Sequence, residues 1–352
     1  MSPSRHPPAG RQLGSLVVIA AVVGIGAVAF AYTAGWLSPA RLTPAKLVDA
    51  LAPPGGPALG HRRNHAKGIC FTGVFNSNGA GTALSTAAMF PTGQYPVLGR
   101  FNLGTPNADA ADSTVRVRGM GLQISTPGGQ IWRSAMINAP VFPVSTPQGF
   151  YDLLHASGSK DPNAMKSFVG AHPEIGGFLK WATTGTWTGS YAEERFNSLD
   201  SFIFTDASGK SNPVRWSLIP AAQPVAITPA DLAKLGPNYL ETEIATRVSK
   251  APQSWSLAVT VANPGDPTDD PTKAWPPDRH TVVVGTLVAQ QVEPEADGPC
   301  RDINFDPTVL PAGMRTSDDP FPAARSAAYA VSYNRRTAEA SDYPYTAAGG
   351  TQ

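Results

Sequence analysis

Eight short segments, each alternating apolar and polar residues and bounded by Gly, Pro or Asn, constrain this chain more than any other feature. GICFTGVFN (68–76), YPVLGRFNL (95–103), TVRVRGMGLQIS (114–125) and QIWRSAMIN (130–138) form one set. SLDSFIFTD (198–206), PVRWSLIPA (213–221), SWSLAVTVAN (254–263) and TVVVGTLVAQ (281–290) form a second. β-Branched and aromatic residues at a period of two read as half-buried strands. Between and after the sets the period changes to that of a helix, at 146–158 behind Thr146, at 161–184 behind Asp161, at 228–250 and at 320–336. The fold class is therefore α+β. An eight-stranded antiparallel β-barrel with inserted helices removes the exposed edges that eight separate strands would leave.

Composition agrees with a folded chain rich in turns. Gly 34 and Pro 35 are high among 352 residues, yet 42% of the chain is hydrophobic, enough for a sizeable core. Lys+Arg 27 against Asp+Glu 26 leaves a net charge of +1, so no electrostatic footprint for nucleic acid exists. Cys70 and Cys300 are the two cysteines; without a CxxC or a Cys/His cluster, a structural zinc or an iron–sulfur cluster is unsupported. Spacing leaves a disulfide between them and two free thiols equally open.

Arg5, His6 and Arg11 precede an uncharged run from Leu13 to Trp36, long enough to cross a bilayer as a helix. Basic residues before it, and Tyr32 and Trp36 at its far end, predict a single-pass anchor with most of the chain on the periplasmic or extracytoplasmic side. Ala29-Phe30-Ala31 offers a competing signal-peptide cut. The expected organisation is a cytoplasmic segment 1–12, an anchor 13–36, a tether 37–60, a globular domain 61–336 and a tail 337–352.

Three places carry candidate chemistry. In PFPAARSAAYAVSYNRR (320–336), Arg325 and Tyr329 stand four residues apart on one helix face, where a guanidinium against a phenol oxygen favours phenolate, a hard metal ligand. An ordinary surface pair has the same spacing. His65, in HRRNHAKGICF, suits a general base, a ligand or a capping residue, and Asn138, in INAPVF, suits a turn.

Together these segments resemble the haem catalase family, in the family's order. HAKG (65–68), Asn138 to Phe142, NFDPTVLPAGM (304–314) and the start at Arg325 of the last helix carry the likeness, which extends from Gly60 to Arg336. The resemblance implies a catalase-like barrel and a b-type ferric haem. It also implies His65 as distal catalytic base, Asn138 as distal amide, Tyr329 as axial tyrosinate, and Arg325 as the residue keeping that ligand ionised. Arg62, Arg100 and Arg336 match propionate partners, and Phe142 matches a haem-contacting position. The implied partners are a peroxide and a small organic electron donor; a homo-oligomer stays open.

Departures from the family pattern narrow the activity. Asn64, Asn102 and Pro143 stand where the family has Val, Ser and Phe, and 23 residues follow Tyr329 where catalases carry a further helical domain. The expectation is a catalase-related peroxidase. Peroxide dismutation, a donor-independent hydroperoxide isomerase or dehydratase, and a non-enzymatic haem-binding protein are the alternatives.

Overall fold

The computed structural model describes residues 9–38 and 41–340. Residues 1–8 of the expected cytoplasmic segment and 341–352 of the expected tail lie outside them. Two compact units meet at Thr43 and Pro44. The first holds helix α1 (Ala9–Thr33), of which Leu16–Thr33 is long and apolar enough to cross a membrane, a property it shares with signal sequences.

The second unit carries helices α2 (Pro44–Asp49), α3 (Pro147–Gly158), α4 (Ala164–Ala171), α5 (Gly176–Thr184), α6 (Pro229–Ala233), α7 (Tyr239–Lys250) and α8 (Pro320–Glu339). Its strands are β1 (Gly68–Ser77), β2 (Gly93–Leu103), β3 (Arg118–Ser125), β4 (Ile131–Ile137), β5 (Phe196–Asn197), β6 (Phe202–Thr205), β7 (Ser211–Pro220), β8 (Gln253–Val261), β9 (Thr281–Pro294) and β10 (Met314–Thr316). Antiparallel pairing runs from β1 through β2, β3, β4, β5, β7, β8 and β9 back to β1, so the expected eight-stranded barrel is closed.

The expected strand at 198–206 is reduced to β6, and a separate piece, β5, lies just ahead of it. β8 occupies one edge of β7 from Val214 to Pro220, so β5 and β6, which both pair with β7, share its other edge as two pieces of one strand. The expected helix 161–184 also divides, because Pro173 cannot donate its amide to a continuing helix. At 228–250 the interruption falls at Gly236, with φ 99°, and Pro237. Thr146 caps α3 as expected, its side chain accepting from the Gly149 amide.

Alternation along the strands fills the barrel with aromatic rings. Phe71, Phe75, Phe101, Trp132, Phe204, Trp216 and Trp255 are buried in one cluster, with Trp132 and Trp216 edge to face at 5.0 Å. Phe71 fits because its cross-strand partner is Gly99, where a Cβ would lie 2.0 Å from the ring. The Trp216 indole donates to Ser134 Oγ at 3.0 Å, so this polar atom is buried with a partner.

Cys70 points outward from β1 and forms a disulfide with Cys300, Cα to Cα 5.4 Å, across 230 residues. The bond packs against Phe305 under the loop after β9. Closing so long a loop restricts the unfolded chain, so Cys70→Ser combined with Cys300→Ser is expected to lower stability by about 2–4 kcal/mol. Thermal melts of the double variant and wild type check this.

Candidate active site

A cavity of about 410 Å³ lies between α8 and the outer face of β2, β3 and β4, with α2 and α3 completing its walls. Alternation decides what reaches it. Phe101, Met120, Trp132 and Met136 are packed into the barrel core, so Arg100, Asn102, Gly121, Ala135 and Ile137 belong to the outer face. Gly121 and Ala135 are cross-strand partners on the cavity floor, and the Phe305 ring packs on Gly121, where a Cβ would lie 2.8 Å from it.

His65, Arg62, Arg100, Phe142, Arg325, Tyr329 and Arg336 all line this one cavity. His65 has φ 54°, a left-handed conformation in which its amide donates to Asn64 Oδ1 at 2.9 Å. Its Nδ1 lies 2.6 Å from Asn102 Oδ1. Asn102 Nδ2 donates to the Arg100 carbonyl, which fixes the amide's orientation, so His65 Nδ1 carries the proton and Nε2 presents a lone pair. Burial lowers the imidazole's pKa to about 4; Asn102 opposes the shift, while Arg100, Arg325 and Arg62 add to it. Gly119 keeps this arrangement open, since a Cβ there would come 2.3 Å from Asn102 Oδ1.

The rest of HAKG is structural. Ala66 is buried and its amide donates to the Thr105 carbonyl. Lys67 Nζ is buried on Asp112 Oδ1 and the carbonyls of Ala110 and Pro237, and Asp112 Oδ2 accepts from the Leu240 amide at the start of α7. Gly68 admits the neighbouring chain, because a Cβ would meet the Phe101 carbonyl at 2.3 Å.

On α8, Arg325 Nη2 donates to Tyr329 Oη at 3.2 Å and to the Ala135 carbonyl at 3.0 Å, while Nη1 pairs with Asp200. Burial works against the guanidinium's charge, but Tyr329 and Asp200 overcome it and hold Arg325 above its ordinary pKa. Phe142 packs edge to face on Phe321 at 4.8 Å, which fixes it against the first turn of α8.

The structure does not bring Asn138 into the cavity. It continues the inward parity of Trp132, Ser134 and Met136, and its side chain accepts from the Arg118 amide and donates to Glu194 Oε2 at 3.1 Å. Ile137 lines the cavity beside it, and the period-two count along β4 was the signal for that. Arg100 is likewise more engaged than a cofactor partner need be, with Nε and Nη2 on Glu295 and Nη1 on the His65 carbonyl at 2.9 Å. Glu295, absent from the sequence-derived site, pairs with both Arg62 and Arg100; burial raises its pKa, but the two arginines outweigh this and hold it below the ordinary carboxylate value. Leu47 and Val48 of α2, in the segment read as a tether, also line the cavity.

These residues fit a haem. The apolar lining of Phe142, Phe305 and Phe321 suits a flat apolar macrocycle, and Arg62 and Arg336, gathered on the Arg301 and Ile303 carbonyls, suit its anionic edge. Arg62, Arg100 and Arg336 less Glu295 leave two positive charges for two propionates. Among the described residues no cluster of three or more His, Cys, Asp or Glu side chains could hold a bare metal ion. Tyr329, with the Arg325 guanidinium on its oxygen, suits the iron of a haem.

A family model described as Catalase matches residues 30–343. A catalase-related peroxidase of Synechococcus elongatus is 34% identical over 329 residues, 92% of this chain and 95% of the relative. Another, from Mycolicibacterium paratuberculosis, is 31% identical over 299 residues, 84% and 95% of the two chains. Catalase A from Saccharomyces cerevisiae shares the fold at a TM-score of 0.71 and 19% identity, covering 79% of this chain and 62% of that one. A bacterial catalase gives 0.71 at 20% identity, covering 84% and 61%. The chain thus spans about three fifths of the length of these solved catalases and nearly the whole of the two peroxidases. With a matching family model over most of its length, a closed barrel and the motifs that walls of this cavity share, the chain belongs to the catalase family.

Proposed function

We propose that the protein is a haem-dependent peroxidase that reduces hydrogen peroxide or organic hydroperoxides with electrons from an organic donor. The observation that carries this reading is one cavity bounded both by a neutral, oriented His65 and by the Arg325–Tyr329 pair. Tyr329 would hold the iron of a b-type haem, Arg62 and Arg336 its propionates, and Phe142 would pack on its edge. The bound haem supplies an iron that can pass two electrons to peroxide and recover them from a donor.

His65 does the proton work. Nε2 accepts the proton of one peroxide oxygen and returns it to the other, which leaves as water or alcohol. Two electrons and two protons in all convert ROOH to ROH and water, with R hydrogen or an organic group. Asn102 holds the tautomer that keeps Nε2 basic, and Arg100 braces the same residue through its carbonyl. The names of the two peroxidase relatives support donor oxidation over dismutation.

The Cys70–Cys300 disulfide supports placement outside the cytoplasm, because such bonds persist in oxidising compartments. With the apolar α1, it supports a chain anchored through residues 13–36 with its barrel on the extracytoplasmic side.

Wild-type protein is expected to bind haem and reduce peroxide when a donor is present. Tyr329→Phe should change the ferric absorption spectrum, and His65→Ala should retain haem while slowing peroxide reduction by about 10²–10⁴-fold. A wild type without haem, or an unchanged Tyr329→Phe spectrum, overturns the reading. Rapid product formation from a lipid hydroperoxide without donor would instead identify an isomerase.

Protonating His65 removes the base, and its imidazole has a pKa of about 4 against an ordinary 6.5. The acid limb of kcat/KM for peroxide is therefore expected near pH 4, with activity flat through pH 6.5. Asn102→Leu should lower kcat/KM by about 10–100-fold, the loss usual when a hydrogen bond orienting a functional imidazole is removed. A pH–rate profile of both proteins checks this.

A further inference from the structure

The break between β5 and β6 is a built feature. Between the register partners Ser217 and Val214, β7 has two residues, 215 and 216, whereas the facing chain has four, 198–201, so two residues are looped out. Both flanks are anchored. The Ser198 amide donates to the Trp216 carbonyl at 2.9 Å, and Ser198 Oγ accepts from the Trp216 amide at 3.1 Å. Ser201 Oγ accepts from Arg215 Nε at 3.0 Å. Between these anchors stand Leu199 and Asp200.

Leu199 has φ 58°, a left-handed conformation that is strained for an L-residue with a branched side chain. Such strain persists where the surroundings over-determine it, and it gathers at functional sites. Here the loop carries Leu199 and Asp200 into the cavity wall. Asp200 is 4% exposed and its carboxylate pairs with Arg325 Nη1, across 125 residues of chain. The opposite arm of the same fork reaches Ala135 and Tyr329. The neighbouring carboxylate, Asp319, is committed through Oδ1 to the Phe321 amide at the start of α8.

We propose that Asp200 is the positioning residue of the tyrosine centre: the two-residue bulge delivers its carboxylate so that the Arg325 fork stays aimed at Tyr329 Oη. A planar guanidinium gripped on Nη1 has little freedom to swing Nη2 away. The carboxylate also offsets part of the guanidinium's charge, so the phenol oxygen keeps electron density that a full cation would draw off. The second effect rests on the reading of Tyr329 as haem ligand; the first does not.

Crystal structures of Asp200→Ala and Asp200→Asn as purified test the positional claim. Arg325 Nη2 is expected to leave Tyr329 Oη in the alanine variant and to remain there in the asparagine variant, whose amide oxygen still accepts. An Arg325 unmoved in Asp200→Ala overturns the proposal. If that variant does not fold, Asp200→Gly with the Ser198 and Ser201 anchors intact answers the same question. In haem-loaded protein, Asp200→Asn should shift the ferric/ferrous midpoint potential upward, because a less neutralised guanidinium weakens the ligand oxygen as a donor. A potential equal to that of wild type overturns the charge effect. A protein that binds no haem, or whose Tyr329→Phe spectrum is unchanged, removes the ligand reading alone, and the crystallographic comparison still decides the role of Asp200.

Discussion

Filling a closed ring of eight strands with aromatic side chains is the constraint on which the other features depend. Eight strands enclose a space just wide enough for side chains, and Phe71, Phe101, Trp132, Trp216 and Trp255 occupy it. A cofactor-sized ligand has no room inside. Binding must therefore happen on the outer face, under a helix laid across it, which is where α8 and the cavity lie. The alternation that turns aromatic rings inward turns Gly121 and Ala135 outward, so one pattern makes both the core and the cavity floor.

Buried charge is handled by pairing across long stretches of chain. Lys67 meets Asp112, Arg118 meets Glu194, Arg100 meets Glu295 and Arg325 meets Asp200. Breaking one partner of such a pair leaves an uncompensated charge, which is strongly destabilising, so each pair fixes the elements that bear it. The pairs also fix functional groups. Arg100 braces His65 while anchored on Glu295, and Arg325 faces Tyr329 while anchored on Asp200.

What was legible in the sequence was what local pattern encodes. Strand periodicity revealed the barrel, Thr146 marked the start of α3, and HAKG with the Arg325–Tyr329 spacing located both sides of the candidate chemistry. Asn138 stays out of the cavity lining for a reason also written in the pattern, since the parity of β4 turns it inward and Ile137 outward. Glu295 and Asp200 were not legible. Each acts on a residue well over a hundred positions away, and nothing in the strings around them distinguishes them from surface acids. The two-residue β5 is too short to show a period at all.

The disulfide has a consequence beyond stability. Cys300 lies at the head of a short row of backbone carbonyls; those of Cys300, Arg301 and Ile303 accept hydrogen bonds from Arg62, and those of Arg301 and Ile303 also accept from Arg336. Cys70 sits five residues after His65 on a rigid strand. The sulfur bridge thus ties the carbonyl row to the strand that begins beside the histidine, so a covalent link spans the distance between the cavity's basic rim and His65.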